Sequence, residues 1–569
     1  MKTKFVKLLV VLLTLTLVFS SCAPPGDQGA APGDTTGDTA ATGDTAAEAA
    51  DPAPPVERAR VTISHNIVNA EMQIDNPLYE FFSEKFQVDM EFIPMLFGER
   101  HELVRLWTAS GDLPDLMWMD VDVGLFPEWR TWVDGGLFAP LPSDLSPWPN
   151  VQDTLNSGLA ANLFSRNGEI YALPAMRDLT QNNFLSAITF VYRADWAEAL
   201  GMRNPNDVYT WDEFMDLTRA VMEQDPGGNG PGRTFGLGAQ QWLFPDIFGI
   251  DQIGVGSFEW SFEGLSFIAI DGRYYWYPTL PEFIDGLRVA KRLFDEGLIW
   301  PDNVADPNSN LVDDLYVAGQ LFAISRNATV SALRNQRERM IAANPDVDRE
   351  LALMPVHISS PICNNTFFAR QTTDYWGANS FSANTTEEQR HRILDMWDWL
   401  LSEEGINFRL YGIYGEHFVI NGGQVELLWD VDDRGNFVDP FAQNRTFFQR
   451  PILVEMELAY NAVNFPYADR RDAMRAWNWN YQNANIGMFD YIMHFADTPN
   501  KNALGMFTAE VRAKAIELLV TSTYETIEDD WRAWTDSMMP RVQRVLDDLN
   551  GLPFIPASHA DMVAHMQTW

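Results

Sequence analysis

The sequence predicts an α/β fold with a parallel sheet and a large helical share, and three observations carry that reading. Strand-like and helix-like runs alternate as β-α-β-α-β between residues 60 and 120, the pattern of a parallel sheet with right-handed crossovers. Stretches of helical periodicity fill much of the C-terminal half. Of the 569 residues, 46% are hydrophobic, enough for an extensive core and too many for bulk disorder.

The N-terminus reads as an address and a tether. Lys2, Lys4 and Lys7 precede an apolar run, Leu8 to Phe19, too short to span a bilayer as a helix. Ser20-Ser21-Cys22 follows, so residues 1–21 read as a secretory signal ending before a cysteine. Cleavage there removes three lysines and no acid. Residues 23–57 contain no aromatic residue and no Leu, Ile or Met, and Gly-Asp-Thr recurs three times. Such a segment cannot bury enough apolar area to offset ordering entropy, and as a random coil it would reach roughly 30–35 Å.

The body begins at about residue 58. Arg60–Ser64, Val88–Ile93 and Asp115–Asp120 read as strands; Leu78–Phe86 and Glu99–Ser110 read as helices, the second stopped by Gly111. Ligands of such sheets bind beyond the C-terminal strand ends, which points to loop 64–70 and the turn 119–123. Farther on, Ile188–Arg193 is a strand and Ala194–Leu200 a short helix. Thr210-Trp-Asp-Glu213 is a capping box that opens a helix to about Gln224. Helical patterns also cover 282–296, 386–402, 508–525 and 528–549.

Charge narrows the partners. With 40 basic and 79 acidic residues, the formal charge is −39, which disfavours nucleic acid and electrostatic docking on anionic lipid. Eight scattered histidines show no metal-ligand spacing, and no His-Glu-x-x-His or Gly-x-Ser-x-Gly motif is present. Gly227-x4-Gly232-Arg-Thr234 imitates a P-loop, but it lacks the lysine and follows a helix where a strand is needed. Of the two cysteines, Cys363 has no partner once Cys22 is modified and reads as a small buried residue.

Several segments, in order, resemble the lipid-anchored extracellular solute-binding proteins of ABC importers, carbohydrate-type and typical of Gram-positive bacteria. Ser20-Ser21-Cys22 resembles a lipobox, with Phe19 where leucine is usual. Ser110–Asp115, Gly135–Leu141, Asn167-Gly-Glu-Ile-Tyr-Ala-Leu-Pro174, Val191–Gly201 with Thr210–Phe214, Val317–Ala323 and Tyr411–Phe418 resemble successive family motifs. The resemblance implies a two-lobed periplasmic-binding-protein-like fold of type II, with a hinge and a cleft that closes on its ligand. It implies a signal over 1–21 and a lipidated Cys22 with a tether over 22–57. The first lobe is expected over 58–176 and 308–376, the second, more helical lobe over 177–307 and 377–569, and the hinge near 175–190. The implied role is capture of a solute, an oligosaccharide by family habit, for an ABC permease at the extracellular face of the membrane. The protein would be a monomer, a binder and not an enzyme. A secreted carbohydrate hydrolase and a peptide-binding or sensory surface lipoprotein are the alternatives.

In the same resemblance, Asp225–Thr234 aligns with an EF-hand-like calcium loop. Gly227 and Arg233 stand where two oxygen ligands belong; Asp225 and Asn229 alone remain, so no cofactor is expected. Sugars offer C–H faces to aromatic rings and hydroxyls to polar groups. The 20 tryptophans supply many candidates, and those in polar, loop-like settings lead. The expected ligand-binding set is Trp118, Asp120, Trp242, Trp276, Tyr277, Arg326, Trp376, Asn478 and Trp479, with no catalytic residue.

Overall fold

The computed structural model describes residues 58–566, apart from 66–76, 97–98, 122–124, 157–159, 177–187, 240–266, 271, 303–310, 360–364, 371–372, 374, 433–434, 436, 442–462, 464–466, 488–489, 497, 501–502 and 558. The signal, Cys22 and the tether lie outside the described residues. So do Trp242, Cys363, most of loop 64–70 and most of the expected hinge.

Eleven strands build two central sheets. In the first lie β1 (Ala59–His65), β2 (Val88–Pro94), β3 (Leu116–Met119), β4 (Phe138–Ala139) and β5 (Leu173–Met176). The second holds β6 (Ile188–Tyr192), β7 (Val208–Tyr209), β8 (Phe235–Ala239), β9 (Leu321–Asn327) and β10 (Met354–Ile358). The last, β11 (Tyr375–Ser382), returns to the first sheet.

The expected β-α-β-α-β unit is present. Helix Pro77–Phe86 buries Leu78, Phe82 and Phe86, and helix Arg100–Ser110 stops at Gly111, whose backbone is left-handed. β1 runs parallel to β2 and β3, with Ala59 opposite Val88 and Ile63 opposite Leu116. Asp115 ties the unit together. Its Oδ2 accepts from both the backbone N and the hydroxyl of Thr62 at 2.8 Å, and its own N–H donates back to Thr62 Oγ1.

The first sheet runs β2-β1-β3-β11-β4, with β5 also paired to β11. β11 is antiparallel to β3, β4 and β5, and all its residues except Trp376 are buried. The second sheet runs β8-β9-β6-β10-β7. β6 sits at its centre, antiparallel to β9 and β10. The capping box is formed: Glu213 N donates to Thr210 Oγ1, and Glu213 Oε2 accepts from Thr210 N.

This topology moves two of the expected lobe boundaries. Segment 308–376 is expected in the first lobe, yet β9 and β10 within it hydrogen-bond to β6 in the second sheet. The apolar run of β9 suits the interior of either sheet, so its hydropathy does not say which one it enters. Conversely, β11 and helices Glu387–Leu401 and Glu403–Tyr411 belong to the first lobe. Ile393, Trp397 and Phe408 share a core with Val61, Phe82 and Val88. Helix Tyr467–Asn483 packs against β10 of the second sheet, and helix Ile527–Asn550 packs through Trp531, which stacks on Phe283 and donates to Pro278 O.

β11 passes close against the end of β3. An added Cβ at Gly377 would lie 2.4 Å from the Trp118 indole, on a backbone with φ +73°. Gly377→Ala is therefore expected to cost roughly 2–4 kcal/mol, combining positive-φ strain with overpacking. Chemical denaturation measures it, and an unchanged midpoint would show that the indole has room to move.

Candidate functional site

The chain passes from the second sheet to the first between Ile358, the end of β10, and Tyr375, the start of β11. Two aromatic clusters flank this crossing, one on each lobe.

The first-lobe cluster sits at the C-terminal ends of β1 and β3. His65 closes β1, and its ring lies 4.9 Å from that of Trp118. Trp376 meets Trp118 edge-on at 5.5 Å. Trp118 is fully buried, whereas Trp376 is half-buried. Tyr375 donates its hydroxyl to Val121 O at 2.8 Å and so pins the start of β11 to the turn after β3. Asp120 is buried and accepts from Arg100 Nε (3.0 Å) and Nη2 (2.6 Å), with His101 Nε2 3.8 Å away. Burial pushes the Asp120 carboxyl up, but His101 and the Arg100 guanidinium outweigh it and hold it below the usual carboxylate range.

The second-lobe cluster is aimed by helix Tyr467–Asn483. Arg337, from helix Val330–Ala343, donates to Asp469 at 2.7 Å and to Asp472 at 2.8 Å, and all three are buried. Arg475, one turn on, pairs with Asp207 at 2.9 Å, and Asp207 also accepts from Tyr192 and Arg203. These contacts fix the helix so that Trp479 stacks on His357 of β10, with ring centroids 3.9 Å apart. Phe367, from the crossing segment, meets Trp479 edge-on at 4.8 Å. Trp479 is half-buried and Asn478 exposed. Burial pushes the His357 imidazole down to about 4, while a hydrogen bond with Asn480 opposes the shift.

The structure thus brings Trp118 and Trp376 together, and sets Asn478 beside Trp479 on one helix. The other candidates have structural places. Trp276 and Tyr277 are core residues and not ligand-facing: Trp276 packs on Trp534, Tyr277 on Phe283. Asp271, Gly272 and Arg273 give the segment a loop-like, polar setting in sequence, but Tyr274 and Trp276 face the C-terminal helix Ile527–Asn550. Trp118 is likewise covered, by the backbone of β11. Asp120 is committed to Arg100. Arg326 pairs with Asp313 at 2.9 Å and with Gln336, inside the lobe. His357 and Phe367 were not foreseen; nothing in their local sequence separates them from core residues.

At Asp225 the loop is closed by its own hydrogen bonds. Oδ1 accepts from Asn229 N (3.1 Å) and from the Thr234 hydroxyl, and Oδ2 accepts from Gly230 N (2.7 Å). Among the described residues no group of three or more His, Cys, Asp or Glu could hold a metal ion.

Comparison with known proteins adds the context. The model of the family described as bacterial extracellular solute-binding protein matches residues 101–405. The Bacillus subtilis lipoprotein LipO is 24% identical over 324 residues, covering 55% of this chain and 58% of LipO. The polygalacturonan/rhamnogalacturonan-binding protein YtcQ of the same organism is 22% identical over 340 residues, covering 58% of this chain and 61% of YtcQ. The match thus spans about three-fifths of each curated relative. Among solved structures, an HMO-binding, ABC-transporter-associated solute-binding protein of Bifidobacterium longum infantis aligns with a TM-score of 0.60 at 16% identity. The alginate-binding protein AlgQ2 without calcium ion aligns at 0.59 and 14%. Each alignment covers 87% of this chain and 98% of the other, and at these identities it shows a shared fold.

Two outcomes are expected. Arg337→Met leaves two buried carboxylates without their guanidinium and should cost about 3–5 kcal/mol in urea unfolding; a loss under 1 kcal/mol would mean the helix is held by other contacts. His357 has a folded pKa of about 4 against an ordinary value near 6.5. Its contribution is fully present above pH 6.5 and is lost as pH falls toward 4, because the unfolded chain takes up a proton that the folded chain refuses. At about 1.4 kcal/mol per pH unit the loss is on the order of 3 kcal/mol. His357→Gln should flatten the stability profile between pH 7 and 4, measured by denaturation at each pH.

Proposed function

The chain belongs to the bacterial extracellular solute-binding protein family, and from that premise we propose that it captures an oligosaccharide between its lobes for delivery to an ABC permease. One observation carries the ligand class. Two half-buried indoles, Trp376 on the first lobe and Trp479 on the second, flank the crossing segment. Such faces suit the C–H surfaces of sugar rings, and Asn478 and Asn480 stand beside one of them for hydroxyls. YtcQ and AlgQ2 are named for acidic polysaccharides, but this chain's charge of −39 repels polyanions, so a neutral oligosaccharide is the favoured cargo.

The proposal includes anchoring at the outer membrane face through a lipid on Cys22. It is supported by the lipobox-like Ser20-Ser21-Cys22 and by a relative that is itself a lipoprotein. Among the described residues no helix is long and apolar enough to cross a membrane. The family is one of binding proteins, and binding without turnover is the proposed mode. No residue is assigned a catalytic role.

A thermal-shift screen of the full chain against neutral and uronic oligosaccharides and peptides tests this. A ligand at a hundredfold excess over its Kd adds about 2.7 kcal/mol to the native state. Stabilisation by a neutral sugar, with no reducing ends released, is the expected result. Stabilisation by uronates alone would reverse the charge argument, and released reducing ends would make the protein a hydrolase. For the sugar found, Trp376→Ala and Trp479→Ala should each raise Kd about tenfold or more, equivalent to about 1.4 kcal/mol. Trp276→Phe should leave Kd unchanged, and calorimetric titration separates the two classes.

A further inference from the structure

The fold family implies calcium at the loop after helix Trp211–Gln224, and the residues of this loop do not fit the ion. Calcium requires six to eight oxygen ligands. Here the one carboxylate, Asp225, already accepts three hydrogen bonds, from Asn229 N, Gly230 N and the Thr234 hydroxyl. Asn229 presents its nitrogen and not its oxygen: Nδ2 donates to Thr234 Oγ1 at 2.9 Å and to Gly319 O at 2.8 Å. At position 227 there is no room for a liganding side chain. A Cβ on Gly227 would lie 2.6 Å from the Trp196 ring and 2.9 Å from Asn229 Nδ2. A guanidinium occupies the neighbourhood as well. Arg193 lies 4.2 Å over the Trp196 ring while paired with Asp195. Arg233, exposed, stands where a carboxylate would complete the set.

We propose that Asp225–Thr234 is a metal-independent clasp, in which Asp225, Asn229 and Thr234 perform by hydrogen bonding the joining role that a bound cation performs in an EF-hand loop. The clasp has a definite structural task. Asp225 ends its helix in the left-handed conformation at φ 45°, and Thr234 directly precedes β8. Gly319 lies in the turn before β9, where Gln320 O accepts from Phe235 N at 2.8 Å. The Asn229 side chain therefore joins the helix end to the turn that sets β8 parallel to β9, with Phe235 opposite Leu321. A cation-bound loop would lose this junction when the ion dissociates; the hydrogen-bonded loop keeps it at any calcium concentration.

The test compares thermal unfolding of the full chain in excess EGTA and in about 10 mM CaCl2, well above the weakest extracellular calcium sites. Equal Tm values are expected. Thr234→Val, which removes the bridging hydroxyl, and Asp225→Asn should each lower Tm by the same amount with and without calcium. Terbium luminescence gives a second readout, because the Trp196 ring against the loop would sensitise a bound ion. The wild type and Asp225→Asn should give the same emission. A calcium-dependent rise in Tm that Asp225→Asn abolishes, or sensitised emission lost in that variant, would overturn the proposal.

Discussion

The two-lobed architecture depends on one pairing, the insertion of β11 between β3 and β4. Without it, β3 would be an edge strand, and β5 would lose the strand it pairs with. The partners are far apart in the chain: Ala378 pairs with Met119 and Phe381 with Ala139. Everything from β6 to β10 intervenes, so the first sheet closes only after the chain has left, built a second sheet and returned. Non-local pairings of this kind add to the entropic cost and slow folding. That cost is offset by near-complete burial of β11, whose polar residues are provided for: Ser380 Oγ accepts from Trp129 Nε1, and Ser382 N donates to Asp115 O.

The same strand carries Trp376, the first-lobe indole of the proposed binding surface. Gly377 allows its backbone to lie on Trp118, and Trp376, next in sequence, is left with part of its face open. On the other lobe the comparable work is done by charge. A buried arginine between two aspartates is a costly arrangement compared with apolar packing, but it is directional. Arg337 reaches Asp469 and Asp472, spaced three residues apart on one helix, and Arg475 meets Asp207 a turn later. Three acids and two guanidiniums thus set both the rotation and the position of the helix that carries Trp479.

Much of the fold could be read from the chain. Apolar spacing placed the first helices, Thr210 and Glu213 announced their capping box, and Gly111 ended its helix as expected. β11 was illegible, because Tyr-Trp-Gly-Ala-Asn-Ser-Phe-Ser lacks the apolar alternation of a strand and its buried Asn379, Ser380 and Ser382 look like loop residues. The motif Val317–Ala323 ends in the first residues of β9, but pairing decides the sheet, and no property of that segment alone contains its partner. The site was half legible for the same reason. Local polarity separates exposed from buried tryptophan only when the cover is local. Trp118 is covered by a strand 259 residues later, and Trp276 packs against Trp534 of a helix equally remote in sequence.

Positioning the two open indoles on separately braced lobes has a consequence for how a ligand would act. Trp376 is held by the first sheet, and Trp479 by ion pairs and stacking within the second. Each indole thus has bracing contacts within its own lobe, and a side chain held in this way loses little conformational entropy on binding a ligand. A ligand that touches one lobe gains the same energy whether the cleft is open or closed and moves no equilibrium. A ligand that spans both gains its second set of contacts only in the closed form, and this difference alone drives closure. Under the proposed function, selectivity for closure would depend on ligand length as well as chemistry: a monosaccharide that reaches one indole would bind without closing the lobes, and the first oligomer that reaches both would be the first to shut them.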